Sequence, residues 1–220
     1  MVSRGTLLLE EATSTLTHVC MHMRYIEIPK GHPEFKCCPP VRGAENQDKL
    51  WEALLDGTID MVVSDHSPCV AELKKPETGN FMDAWGGIST LGLGLSLLST
   101  AAKKRGVAFE RVLAWCSTNT ALHAGLAGRK GNLAVGMDAD LAVWDEAAEF
   151  EVRVRATLAD AGSPTELFLK VTKESLNFKN KISPYVGLRL TGQVVQTYVR
   201  GTLVFDREAG FSSRASGQFV

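Results

Sequence analysis

The chain has 220 residues, with 24 Lys plus Arg against 25 Asp plus Glu, a formal charge of −1. A balance so close to neutral offers no basic excess for nucleic acid and no acidic tail, and 45% apolar residues is ordinary globular composition, which excludes disordered, collagen-like and disulfide-scaffold classes. The length also falls short of the roughly 250 residues that a closed eight-stranded α/β barrel takes with its loops.

Residues 1–25 are weakly patterned, although 15–23 are β-compatible. The apolar run Leu7-Leu8-Leu9 is cut off by Glu10 and Glu11, well short of the roughly 7–15 residues of a signal-peptide core. A loop punctuated by Pro33, Pro39 and Pro40 follows. Asn46 reads as the N-cap of a helix over 47–55, with Leu50, Trp51, Leu54 and Leu55 on one face and Gly57 as the stop. The apolar run 59–64 reads as a short buried parallel strand that ends abruptly in Asp65-His66-Ser67-Pro68. Residues 70–87 read as a loop, and 88–104 as a helix. Within the helix, Leu91, Leu95, Leu98 and Ala102 recur at helical spacing while Gly92, Ser96 and Ser99 fall on other faces. That dilution of the leucines makes a buried amphipathic helix the better reading than a membrane span. A further helix is expected from Ser117 or Thr118 through His123. Beyond Gly128 the pattern turns β-rich, with strands at 141–144 and 150–154 and a hairpin of 193–199 and 202–205 joined at Arg200-Gly201.

Five cysteines (Cys20, Cys37, Cys38, Cys69 and Cys116) make an odd number without framework spacing, which points to reduced thiols and a cytoplasmic protein. Asp65 is the sharpest candidate for chemistry. A carboxylate just past the C-terminal end of an apolar strand suits a metal ligand or general base; the plainer alternative is an Asp that caps the following turn. His66 is read as steadying the loop rather than as a ligand. His18, Cys20 and His22 alternate and would share one strand face, as a zinc site requires, or they form a chance cluster. His32 reads as a turn residue and His123 as packed. No H-x-H, H-E-x-x-H, C-x-x-C, G-x-S-x-G, Walker A or G-x-G-x-x-G pattern is present. The basic runs Lys74-Lys75 and Lys103-Lys104-Arg105 read as short solvated stretches.

The segments Phe35-Lys36-Cys37-Cys38-Pro39-Pro40-Val41-Arg42, Val63-Ser64-Asp65-His66-Ser67-Pro68-Cys69 and Asn80-Phe81-Met82-Asp83-Ala84-Trp85-Gly86-Gly87-Ile88 together resemble the allantoinases. These are cyclic amidohydrolases related to dihydropyrimidinases and dihydroorotases. Ser117-Thr118-Asn119, Gly136-Met137-Asp138-Ala139-Asp140-Leu141 and Lys179-Asn180-Lys181-Ile182-Ser183-Pro184-Tyr185 are also similar, and the likeness runs over about residues 26–206. It implies an α/β fold: the C-terminal part of a (β/α)8 TIM-like barrel over 26–128, a β-rich lobe and tail over 129–220, and a leader over 1–25.

The resemblance further implies zinc-dependent hydrolysis of the ring of allantoin to allantoate in purine catabolism, with two metals sharing a hydroxide that attacks the ring amide carbon. Asp65 matches the residue that binds metal, takes the hydroxide's proton and passes it to the leaving nitrogen. Cys38 and Gly86 match positions that hold the ring through backbone groups. The family's H-x-H, bridging modified lysine and a further histidine have no counterpart in the chain. His22, in Cys20-Met21-His22, is either a degenerate metal ligand or part of an unrelated leader, the second being favoured. The expectation is therefore a chain that does not fill a dinuclear zinc centre and is inactive alone. The alternatives are a non-catalytic interaction protein on the same scaffold, or a truncated isoform or partial gene model. The partners expected are a small cyclic amide, a second copy of the chain or a full-length enzyme, and neither nucleic acid nor membrane.

Overall fold

Gly57 ends the first long helix, α1 (Ala44–Asp56), by adopting the left-handed conformation at φ 86° that side chains disfavour. The helix begins two residues before the expected N-cap. Gly43 caps it and Asn46 lies inside, because Ala44 and Glu45 are good first-turn residues, with Glu45 paired to Lys49 one turn on at 2.7 Å. Its inward face is Gln47, Trp51 and Leu54. Leu55 sits about 100° further round the axis and is 39% exposed, not part of the core face as expected. The computed structural model that shows this describes residues 15–17, 27–152, 169–171, 176 and 178–219.

Strand β1 (Thr15–Thr17) pairs in parallel with β2 (Met61–Val63). A further parallel bridge, His66 to Ile88, continues the same alignment past the end of β2. The stretch expected as pure loop contains a short helix, α2 (Ala71–Lys74). Helix α3 (Gly94–Lys103) starts six residues later than the periodicity predicts, because Ile88 and Thr90 are bonded to the 64–67 segment and residues 91–93 form a turn with Gly92 at φ 80°. Leu91 is consequently outside the helix and half exposed. Nor is α3 amphipathic: Ser96, Ser99 and Thr100 are buried along with Leu97, Leu98 and Ala101. The Thr100 hydroxyl donates to the Ser96 carbonyl at 2.6 Å and accepts from the Thr191 amide at 2.8 Å, so the polar face is satisfied rather than solvated.

Helix α4 (Phe109–Leu113) runs through a π-turn (Ala114–Thr118) into α5 (Asn119–His123). No cap forms at Ser117 or Thr118. Their hydroxyls instead donate to the Gly131 carbonyl, at 3.3 and 2.9 Å, and draw the following turn onto the helix.

The remaining described strands form one five-stranded sheet in the order β4-β3-β5-β6-β7. These are β3 (Leu141–Val152), β4 (Leu169–Val171), β5 (Arg189–Val199), β6 (Thr202–Asp206) and β7 (Gly210–Phe211). The two strands expected at 141–144 and 150–154 are one bulged strand, with a register shift between Asp145 and Glu149. The β5–β6 hairpin turns at Arg200-Gly201 as expected, both with positive φ.

Two apolar cores result. One packs Trp51 and Leu54 of α1 and Val62 of β2 against Leu98 and Ala102 of α3 and Val112 and Trp115 of the α4 helical run. The other joins Ile88 and Leu97 to Phe150, Val152, Tyr185 and Leu190 of the β-rich part. Helix α3 contributes to both. No helix among the described residues is long and apolar enough to cross a membrane.

Candidate active site

Three stretches of chain meet beyond the C-terminal end of β2: the 36–38 loop, the 64–67 segment and the 85–91 segment. Asp65 lies two residues past β2 with φ 45°, a left-handed backbone that Asp and Asn tolerate better than most side chains. Its carboxylate is exposed. The Ser67 hydroxyl donates to the Asp65 carbonyl at 3.3 Å and stands 3.5 Å from Oδ1, so a turn contact of the kind weighed above is present beside a carboxylate open to solvent.

His66 serves the loop. Its Nδ1 accepts from the backbone amides of Thr90 and Leu91, both at 3.0 Å, and its ring packs against Phe178 at 5.4 Å. An acceptor at Nδ1 places the ring proton on Nε2. Burial pushes the imidazole's pKa down, which favours this neutral form. The Thr90 hydroxyl donates to the Ser64 carbonyl at 2.9 Å, and the Ser67 amide to the Ile88 carbonyl at 3.0 Å. From the β-rich part, the Ser183 hydroxyl donates to the Ser89 carbonyl at 2.9 Å.

Cys38 and Gly86 are brought into contact. A Cβ placed on Gly86 would lie 2.5 Å from the Cys38 Sγ, and one on Gly87 would lie 2.7 Å from the Ser67 carbonyl oxygen. At Gly87 the obstacle is backbone and only glycine fits, whereas at Gly86 a side chain would require the Cys38 thiol to move. The Gly87 amide donates to the Lys36 carbonyl at 3.0 Å, which ties the two loops together. No hydrogen-bond partner of the Cys38 or Gly86 amide is found among the described residues; Cys38 is exposed and Gly86 half-buried.

Lys74 overturns its reading as part of a solvated pair. It is 2% exposed, and its ammonium donates to the carbonyls of Lys36 at 3.0 Å, Trp85 at 2.9 Å and Gly87 at 2.5 Å. Burial is the main cause of its lowered pKa. Helix α2 brings it inward, and nothing in the Lys-Lys pattern distinguishes it from its neighbour. Of the other candidates, His32 turns back on Glu34 at 2.8 Å, as a turn residue should, whereas His123 is exposed rather than packed. His18, Cys20 and His22 lie outside the described residues. Among the described residues no group of three or more His, Cys, Asp or Glu is placed to hold a metal ion.

The amidohydrolase family model matches residues 5–204. It begins within the stretch read above as an unrelated leader, which favours the alternative that this stretch belongs to the same family sequence. The chain is 40% identical to the allantoinase of Saccharomyces cerevisiae over 205 residues, covering 92% of this chain and 40% of that protein. To the allantoinase of Arabidopsis thaliana it is 46% identical over 192 residues, or 87% and 34% of the two chains. It thus spans about 40% or less of the length of these curated relatives. Among solved structures, the L-hydantoinase (dihydropyrimidinase) of Arthrobacter aurescens matches with a TM-score of 0.72 at 28% identity, covering 92% of this chain and 43% of that one. The dihydropyrimidinase of Brevibacillus agri matches with a TM-score of 0.73 at 23% identity, over 90% and 40%, a likeness of fold. With the family model spanning nearly the whole chain, and the parallel β1–β2 pair followed at its C-terminal end by the loop cluster, the chain belongs to the amidohydrolase family.

Proposed function

We propose that the chain carries the proton-handling carboxylate and the ring-holding loops of an allantoinase-type site, which opens the cyclic amide of allantoin to give allantoate. In this reading residues 26–128 are the C-terminal part of a (β/α)8 barrel and 129–220 a β-rich lobe with its tail. The observation that carries it is the convergence of three loops past β2. Asp65 stands on one, and Cys38 and Gly86 touch across the other two, joined through Ser67, Gly87 and Lys36. Two amides with no partner among the described residues suit the carbonyl oxygens of a planar imide. An exposed carboxylate beside them suits a group that takes the proton of an attacking water at Oδ and hands it to the ring nitrogen as the C–N bond breaks.

Zinc in such hydrolases supplies a water acidic enough to yield hydroxide near neutral pH. The described residues do not fit a pair of zinc ions, because Asp65 is a lone carboxylate and the Nδ1 of neighbouring His66 is already spent on two amides. The groups assigned to this chain are therefore a proton acceptor and two ring-holding amides, and no step runs through a metal. The purified chain is expected to bind fewer than two zinc ions and to leave allantoin unhydrolysed; two metals per chain, or turnover, would overturn that part. Allantoin at millimolar concentration is expected to shift the backbone amide resonances of Cys38 and Gly86, and unmoved resonances would sink the assignment of the ring-holding loops.

The second reading, an interaction protein on the same scaffold, would use Leu133 and Val135, two exposed apolar residues two positions apart in one turn. Co-elution of tagged chain with a full-length allantoinase supports it, and separate elution removes it.

A further inference from the structure

We propose that Lys74 is a positioning residue that sets the direction of the ring-holding Gly86 amide, its ammonium gripping the carbonyl of the peptide that carries this N–H and anchoring the loop that carries Cys38. The inference rests on the functional reading above and adds to it a residue outside the ring-holding pair.

In a trans peptide the C=O and N–H point in opposite directions. Among the described residues the Cys38–Pro39 bond is the one cis peptide, so the peptides that Lys74 grips are trans. The Trp85 carbonyl that accepts from Lys74 at 2.9 Å belongs to the peptide that carries the Gly86 N–H. Pulling that carbonyl inward turns the Gly86 N–H outward. The Lys36 carbonyl, two residues before Cys38, is held by the same ammonium and accepts the Gly87 amide as well, which ties the loop of Cys38 to that of Gly86. One buried cation thus fixes three peptide planes on two loops that are far apart in sequence. A cation on the carbonyl side also polarises the peptide and strengthens its N–H as a donor. Lys74 is the one charged residue in the buried set of the described residues. Its burial is therefore an expense with a specific return, the aim of the loops, since a methionine of similar volume would pack there without a charge to desolvate.

The test is allantoin binding to the 220-residue chain, followed by the amide resonances of Cys38 and Gly86 in the wild type, Lys74→Met and Lys74→Arg. Leu98→Ala serves as a control that is destabilised in a core away from the loops. Lys74→Met is expected to displace the Gly86 amide resonance before any ligand is added, and to weaken binding on the order of tenfold. Lys74→Arg, which keeps a cation and its donors, is expected to recover part of that loss. Leu98→Ala is expected to bind as the wild type does although its unfolding midpoint falls. If Lys74→Met binds as tightly as the wild type with an unmoved Gly86 amide, the role of Lys74 is overturned while the functional reading stands. The role is also overturned if Leu98→Ala loses binding as Lys74→Met does, because loss of stability alone then accounts for the effect. If the wild type itself binds no allantoin, the functional reading falls, and the positioning role falls with it.

Discussion

The core under α1, β2 and α3 and the loop cluster beyond β2 are built on different physics. In the core, Trp51, Leu54, Leu98 and Val112 are apolar and at most 2% exposed, and stability comes from area removed from water. In the loop cluster the organising groups are polar: the Lys74 ammonium on three carbonyls, the His66 imidazole under two amides, and the Thr90 and Ser183 hydroxyls on single carbonyls. Apolar packing is non-directional and tolerates small shifts. Hydrogen bonds to backbone groups are directional, so they orient peptide planes rather than merely hold them. Damage to the core should therefore lower stability everywhere, whereas damage to the cluster should change what the loops present.

The largest effect is expected in the core. Leu98→Ala leaves a cavity beside Trp115 and Ala102 and should cost about 2–5 kcal/mol in urea unfolding. Within the cluster, Gly86→Ala puts a Cβ 2.5 Å from the Cys38 Sγ. Overpacking of this kind costs about 1–3 kcal/mol, and the displaced amide should weaken allantoin binding by at least about tenfold, the equivalent of roughly 1.4 kcal/mol. Adding Cys38→Ala removes the Sγ contact and leaves a Cβ at 3.2 Å, so the double variant should regain much of the lost affinity. A double variant that binds no better than Gly86→Ala would show that the contact does not govern the loops.

Asp65 sharpens the comparison further, because its backbone conformation and its carboxylate can be separated. Asp65→Asn keeps a side chain that tolerates φ 45° and should stay within about 0.5 kcal/mol of the wild type. Asp65→Ala should cost about 1 kcal/mol more than Asp65→Gly. Equal midpoints for the Ala and Gly variants would mean that the left-handed backbone relaxes in solution.

The smallest effect is expected at Asp140. The Lys130 ammonium, and then the Arg200 amide at 2.8 Å, hold its carboxyl below the usual carboxylate range, and so tie the 129–140 turn to the β5–β6 hairpin. A depressed folded pKa means that the native state binds fewer protons than the unfolded chain. The contribution is therefore present above the unfolded value of about 3.9 and is lost as pH falls through the folded one. Urea midpoints at pH 6 and pH 3 should differ less for Asp140→Asn than for the wild type; an unchanged difference would remove Asp140 from the account.

Much of the fold was legible because it rests on local signals. Gly57 marks the end of α1, the run at 59–64 contains β2, and Arg200-Gly201 marks the hairpin turn. Less legible was the start of α3. Its leucine spacing extends back to Leu91, but the bridge from His66 to Ile88 and the grip of His66 on Thr90 and Leu91 keep that segment out of the helix. Local periodicity carries no information about a partner more than twenty residues away. The same limit explains why Ser96 and Ser99 read as lying off the buried face although both are buried. The group that satisfies Thr100 is the Thr191 amide of a strand 91 residues on.

The candidate site divides along the same line. The order of residue types, an apolar run followed by Asp65, two cysteines before a proline pair, and a Gly86-Gly87 pair, was determined by the sequence and was enough to single out the family resemblance. Lys74 was decided by the tertiary structure alone. A lysine in a short helix is ordinarily solvated, and only the arrival of three carbonyls from two loops gives its ammonium enough acceptors to be worth burying. Composition and spacing determine which chemical groups the chain owns. Which of them leave water depends on whether the fold assembles partners from distant segments to satisfy them.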